Sequence, residues 1–273
     1  MARSHPALTL DGEIAPAAVD TSGGWGGRVF LIAALGGFAL VGMMLAVDQI
    51  RQSLGYHDFA DVRTCLGIPN VQNVLSNLPF LAVGIAGLRW LRRWDAAVDA
   101  ELVPAYATLF LGIAATALGS MYYHWAPSSP TLFWDRLPIA VAFMALFAGV
   151  LGERIGPRIG RAVLWPLVVF GVASVIYWHV TDDLRPYAVA QFFPLLTIPL
   201  LLALFPARFS RGGDLLAAIG CYVVAKGFEE ADKPIYTALG GITSGHVLKH
   251  LAATVGVWLV VRMLMQRRPV ARG

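Results

Sequence analysis

Charged side chains are scarce in this sequence. Asp, Glu, Lys and Arg make up 14% of the 273 residues, whereas ordinary soluble domains carry roughly a quarter. Cysteine is scarcer still, since Cys65 and Cys221 are the only two and lie far apart in the chain. We therefore expect no structural disulfide and no cysteine cluster that binds a metal.

Hydrophobic residues make up 57% of the chain, and the mean hydropathy is +0.64. The apolar residues form runs close to the roughly 20 residues that a membrane span needs. The sequence therefore predicts an all-α, polytopic transmembrane helical bundle. We predict a disordered tail at 1–27 and a basic tail at 266–273. Between them lie eight predicted spans, at about 28–48, 72–91, 104–124, 133–152, 162–180, 187–206, 213–228 and 244–265.

The basic residues give a net charge of +4 but form no patch, so we do not expect nucleic acid as a partner. With the N-terminus placed inside, fourteen of the 21 Lys and Arg residues fall on the inner face. Because cytoplasmic loops carry an excess of Lys and Arg, this bias predicts that both termini are cytoplasmic. Every histidine except His5 then falls at the outer ends of spans or in outer loops, which predicts an active site on the outer side.

The segment GSMYYHWAPSSPTLFWDRLP places polar side chains inside an apolar region. Ser120 and His124 are four residues apart and therefore share one helix face. The Pro-Ser-Ser-Pro sequence predicts a short reversal, so Asp135 lies in the returning helix at the depth of His124. An acid inside a span is costly unless it is paired or functional. The alternatives are an ion pair of Asp135 with Arg136 or Arg185, and a packing role for Ser120 between helices.

A second polar pattern lies near the C-terminus, where His246 and His250 are one helical turn apart. Two imidazoles at this spacing can present nitrogens to one cation. His124 would complete a three-histidine set, and three protein ligands with an open fourth position are typical of catalytic zinc. The alternative is that His246 and His250 are interfacial residues that face lipid headgroups.

These motifs together resemble those of the alkaline ceramidases and of their wider superfamily of seven-span membrane hydrolases. The matching elements are Ser120-Met-Tyr-Tyr-His124, Asp135-Arg-Leu-Pro138, His246-Val-Leu-Lys-His250 and Asn73-Val-Leu-Ser76-Asn77-Leu-Pro-Phe80. The resemblance covers about residues 56–262. It implies a seven-span ceramidase-like domain at 56–265, which is preceded in this chain by an additional span at 28–48.

The resemblance also implies the chemistry. His124, His246 and His250 would bind zinc, Asp135 would deprotonate the attacking water, and Ser120 would steady the developing oxyanion. The implied substrate is a ceramide-like lipid that reaches the site from the membrane and is cleaved at its N-acyl amide bond. No protein partner is expected. The alternatives are a zinc-dependent lipid esterase or phospholipase, a non-catalytic zinc-containing receptor or structural protein, and a transporter.

Eukaryotic ceramidases also bear an acidic calcium site ahead of their first span. In this chain Asp58 and Asp61 could bind calcium, while Asn70 stands where the family has a later glutamate. The alternative is a solvated acidic loop. Two further expectations concern the outer face. Trp178 anchors its span at the membrane interface, the alternative being that it lines the mouth of a pocket, and the charged residues 229–233 form a solvated loop.

Overall fold

The computed structural model describes residues 25–93 and 100–270. The predicted N-terminal tail, apart from residues 25–27, and the end of the predicted C-terminal tail lie outside the described residues. Within the described ranges the chain is helical and forms no strand, apart from isolated bridges that pair Cys65 with Ile68 and Phe209 with Pro269. The prediction of an all-α fold is confirmed.

The described residues form ten α-helices and one 3₁₀-helix, Leu54–His57. The α-helices are α1 Trp25–Ala46, α2 Val71–Leu75, α3 Leu78–Leu91, α4 Val103–Trp125, α5 Ser129–Arg154, α6 Pro157–Thr181, α7 Arg185–Leu204, α8 Gly213–Glu230, α9 Asp232–Ala238 and α10 Gly245–Gln266.

Within residues 25–93 and 100–270, six segments are long and apolar enough to cross a membrane: Val71–Leu91, which joins α2 and α3, and helices α4, α5, α6, α7 and α10. They correspond to six of the eight predicted spans, and the chain is an integral membrane protein. The other two predicted spans are also helical. Helix α1 is apolar over Phe30–Ala46, and α8 has 18 residues that include Lys226 and Glu229.

The helices pack as a bundle in which α4 lies between α3 and α5, and α10 lies between α3 and α8. Helix α7 packs on α5 and α6, whereas α7 and α8 face each other across a cavity. The additional helix α1 packs on α7. Its C-terminal end is held by Arg185, whose Nη1 donates to the carbonyl oxygens of Met44 and Val47 at 2.9 and 2.7 Å.

Helices α4 and α5 come very close together at Gly119. A Cβ atom at this position would clash with the carbonyl oxygen of Trp134, so a residue with a side chain does not fit unless the backbone moves. Helix α5 begins at a capping box, in which the Ser128 hydroxyl accepts from the Thr131 amide and the Thr131 hydroxyl accepts from the Ser128 amide. The capped start of α5 and its close contact with α4 at Gly119 together bring Ser120 beside the second turn of α5.

A buried histidine cluster at an apolar cavity

Three buried histidines meet at one end of the bundle. His124 lies in the last turn of α4, and His246 and His250 lie in the first two turns of α10. Each offers one ring nitrogen to a set whose members all lie within 4.8 Å of one another, and Nε2 of His124 is 3.3 Å from Nε2 of His246. Among the described residues, this is the one group of three or more His, Cys, Asp or Glu side chains that could hold a metal ion.

The start of α10 is fixed by contacts to its backbone. The Ser244 side chain accepts from the Val247 amide and caps the helix. Asp232 accepts from the His246 amide at 2.7 Å through Oδ1 and from the Ala60 amide at 2.8 Å through Oδ2. Asp232 therefore ties the first histidine of α10 to the loop that precedes α2.

The tautomer of His250 follows from its contact with Ser76. The Ser76 hydroxyl donates its single proton to the carbonyl oxygen of Asn73 at 3.0 Å and lies 2.6 Å from Nδ1 of His250. When the hydroxyl donates to Asn73, its one proton is used, so Ser76 accepts from His250 and Nδ1 carries the hydrogen. The Nε2 lone pair of His250 is therefore available to a metal ion.

Residues before α2 enclose the other two histidines. The ring of Phe59 lies 4.8 Å from that of His124 and 4.4 Å from that of His246, measured between centroids. Asn70 donates its side-chain amide to the carbonyl oxygen of His124 at 2.9 Å. This segment shields the histidine cluster.

Ser120 and Asp135 line the same cavity as His250. Ser120 is buried, and Oδ1 of Asp135 is a buried acceptor without a hydrogen-bond partner among the described residues. The alternative ion pairs of this acid do not form in the described chain, because Arg185 pairs with Asp183 and Arg136 donates to Gln52. The side chains chosen from the sequence are thus near one another, with a carboxylate oxygen free to accept a proton.

The cavity itself has a volume of about 460 Å³ and runs between α4, α5, α7, α8 and α10. Its wall beyond the histidines is apolar and includes Ile113, Leu146, Ile198, Leu215 and Val260. His250 and Val260 are ten residues apart on α10, which corresponds to about 15 Å along the helix. The inner part of the cavity is therefore an apolar space about 15 Å long.

The polar end of the cavity contains Lys226, Glu229 and Lys249, of which Glu229 was predicted to lie in a solvated loop. Glu229 pairs with both Lys226 and Lys249 and accepts from the Tyr56 hydroxyl at 3.0 Å. Its side chain is only 10% exposed, so the prediction of a solvated loop was wrong for this residue. Two signals were available: Lys226 and Glu229 are one turn apart in a short span, and Lys249 lies beside His250.

Trp178 also differs from expectation. Its side chain is 2% exposed rather than anchored at a membrane interface, and the guanidinium of Arg136 lies 4.2 Å from the centroid of its ring. The interfacial prediction was wrong because the aromatic ring packs under a buried cation, which sequence position alone does not reveal.

The two candidate calcium ligands are each engaged by a basic side chain. Lys233 pairs with exposed Asp58, and Arg63 donates to both carboxylate oxygens of buried Asp61 at 2.8 and 2.7 Å. Burial alone would raise the pKa of Asp61, but the hydrogen bonds and charge of Arg63 outweigh it and lower that pKa below its usual value. These ion pairs do not favour calcium binding, which stays a prediction.

Comparison with known proteins adds one finding. The family model described as Ceramidase matches residues 65–209, which is more than half of the chain. The match includes Ser120, His124 and Asp135 and ends before α10. A search of curated proteins found no match.

Proposed function

The chain belongs to the ceramidase family, and from this premise we propose that it is a zinc-dependent membrane amidohydrolase that cleaves the N-acyl bond of a ceramide-like lipid. The products would be a fatty acid and a long-chain amine. The observation that carries the proposal is the buried histidine cluster beside Ser120 and Asp135, at the polar end of an apolar cavity.

The spacing of His124 and His246 suits zinc. Two nitrogens bound to one tetrahedral zinc ion, each at about 2.0–2.1 Å, are about 3.3–3.4 Å apart. Nε2 of His124 and Nε2 of His246 are separated by 3.3 Å. Three imidazoles without a fourth protein ligand among the described residues favour a catalytic ion with an open position over a structural one. Ser76 supplies the outer hydrogen bond that usually orients a ligating histidine.

Zinc held by these histidines would polarise the substrate carbonyl and activate a water molecule. Oδ1 of Asp135 would orient that water and take up its proton as the water attacks the carbonyl carbon. The same carboxyl group would then give the proton to the leaving nitrogen. The Ser120 hydroxyl would donate to the developing oxyanion. Ser120 is hydrogen-bonded to Asp135, the group that would serve the attacking water, so Ser120 has no base of its own and we assign it no role as a nucleophile.

The cavity supports a lipid as substrate. Its inner wall is apolar, and it lies between α7 and α8, which do not pack closely in the described chain. We propose that alkyl chains pass between these helices from the membrane and that the amide stops at the polar end. From the excess of Lys and Arg on one face, we also propose that both termini lie in the cytoplasm and that the histidine cluster lies on the outer side.

Fatty-acid release from N-acyl and O-acyl lipids with the same acyl chain tests the proposal. Purified wild type should carry about one zinc ion per chain and release fatty acid from the amide lipids. His246→Ala should lose both zinc and activity. His179→Ala removes an exposed histidine outside the cluster and should retain both.

The other outcomes separate the rival functions. Release from ester lipids alone would indicate an esterase of the same superfamily. Bound zinc without cleavage of any lipid would indicate a receptor or structural protein. If no metal binds under any loading condition, the histidine cluster is not a metal site and the proposal fails.

A further inference from the structure

A buried arginine lies in the wall of the cavity next to Asp135. Arg136 is 7% exposed, and the cavity is lined by this side chain on α5 and by Tyr187 on α7. Its guanidinium is held among three aromatic rings, with centroid distances of 4.2 Å to Trp178, 5.2 Å to Tyr187 and 5.5 Å to Tyr56. The position of the cation is therefore well defined.

One end of this guanidinium has no partner. Nη2 donates to Oε1 of Gln52 at 2.6 Å, whereas Nη1 is buried and makes no hydrogen bond within the described chain. A buried donor that is left unsatisfied costs free energy, and more when the group is charged. In a cavity that receives a ligand, such a donor indicates a binding group that the ligand satisfies.

The charges around the cavity also favour an anion. Arg136 forms no ion pair with a carboxylate among the described residues, and its aromatic neighbours do not neutralise it. Across the cavity the single carboxylate of Glu229 is shared by Lys226 and Lys249. The cavity is therefore lined by more basic than acidic groups. The three basic side chains are Arg136, Lys226 and Lys249, and the two carboxylates are those of Asp135 and Glu229.

We propose that Arg136 forms an anion-binding subsite beside the amide-cleaving centre, and that the preferred substrates are N-acyl lipids with a phosphate or carboxylate on the amine half. This inference rests on the proposed function. The guanidinium suits both groups, because its planar N–H donors match the oxygens of either anion. The amine half carries the anion because the inner cavity is apolar and takes the alkyl chains, whereas Arg136 lies at the polar end.

The test compares three lipids that carry the same acyl chain: neutral ceramide, ceramide 1-phosphate and an N-acylglycine. For the wild type we expect kcat/KM to be higher for at least one acidic lipid than for ceramide, and the two acidic lipids distinguish phosphate from carboxylate. Arg136→Gln should lower the ratio of acidic to neutral kcat/KM by roughly ten- to a hundred-fold, the usual effect of losing a hydrogen bond to a charged group. Arg136→Lys should retain part of the preference for acidic lipids, because lysine keeps the positive charge but lacks the planar N–H donors of the guanidinium.

Arg51→Gln is the matched control. Arg51 is exposed and lies outside the cavity, so its removal should leave the ratio of acidic to neutral kcat/KM at the wild-type value. The proposal is overturned if the wild type cleaves acidic and neutral amides equally well. It is also overturned if Arg136→Gln changes the ratio no more than Arg51→Gln does.

A binding measurement separates this inference from the proposed function. Calorimetric titration in one detergent compares dodecyl phosphate with dodecanol, using wild type and each variant that elutes as a folded, monodisperse protein. We expect the wild type to bind dodecyl phosphate more tightly and Arg136→Gln to lose this difference. If no lipid is cleaved but the difference is present, the subsite stands and the amidohydrolase function fails. Equal binding of the two ligands by the wild type refutes the subsite.

Discussion

The hydroxyl oxygen of Ser76 lies 2.6 Å from Nδ1 of His250. These residues are 174 positions apart in the chain, and their contact joins the end of α2 to the start of α10. With its proton on the Asn73 carbonyl, Ser76 accepts from Nδ1 and supports the tautomer of His250 whose Nε2 can bind a metal.

Ser76→Ala should weaken zinc binding without abolishing it. Loss of an outer hydrogen bond to a ligating histidine typically lowers metal affinity by about ten- to a hundred-fold. Competition with a chromogenic chelator measures the change. The control is Ser174→Ala, which removes a buried serine that bonds only to the Gly171 carbonyl of its own helix. Equal zinc affinities for the two variants would contradict the role given to Ser76.

Asp135→Asn should reduce kcat for amide hydrolysis while zinc content stays at the wild-type value. The amide has the shape of the carboxylate but cannot take up the proton from water, and loss of such a general base typically costs about a hundred- to ten-thousand-fold. Rate and metal content are measured on the same sample, with Asp48→Asn as a control at an exposed acid. If Asp135→Asn retains the full rate, another group is the base.

Gly119→Ala should destabilise the protein by about 1–3 kcal/mol, the usual cost of overpacking. The new methyl group would meet the carbonyl oxygen of Trp134, and backbone cannot rotate away as a side chain can. Thermal unfolding in detergent measures the effect. Gly220→Ala is the matched control, because a Cβ atom at this helical glycine meets nothing within 4 Å. A destabilisation of equal size in both variants would show that close packing at Gly119 is not the cause.

The ion pair of Asp61 and Arg63 should make stability dependent on pH in the acidic range. The pKa of Asp61 is lower in the folded protein than its unfolded value of about 3.9. The pair therefore stabilises the fold above that value, and this contribution is lost as the pH falls through the folded-state pKa. Arg63→Gln should lower Tm at pH 7, and its Tm should approach that of the wild type as the pH falls towards 3.

The control for this measurement is Asp58→Asn, which removes an exposed ion pair that contributes little. Its Tm should follow the wild-type curve from pH 7 to the acidic end. If the curves of Arg63→Gln and wild type stay parallel throughout, the pH dependence does not come from Asp61.

The candidate site was predictable where its signal is local. Ser120 and His124 lie one turn apart on α4, and His246 and His250 lie one turn apart on α10. The spacing within each pair follows from the helical period alone. Their meeting could be predicted only through resemblance to a family, since no local rule specifies which helices become neighbours.

The residues that were missed or misplaced depend on contacts between helices. Glu229 was expected in a solvated loop but packs between two lysines in the cavity, and Trp178 was expected at the membrane interface but packs beneath Arg136. A charged residue near the end of a span looks the same in the sequence whether it faces water or a cavity. Only the packed bundle distinguishes the two.

The sequence by itself determined that this chain is a helical membrane protein, because the length and apolarity of each run decide whether a segment can satisfy its backbone within a bilayer. It also determined which histidines share a helix face. The tertiary structure decided that these histidines form one cluster, that Ser76 orients His250, and that Arg136 lines the cavity. These contacts join residues that are far apart in the chain. They arise from the packing of one helix against another, and no periodic pattern in the local sequence specifies which helices become neighbours.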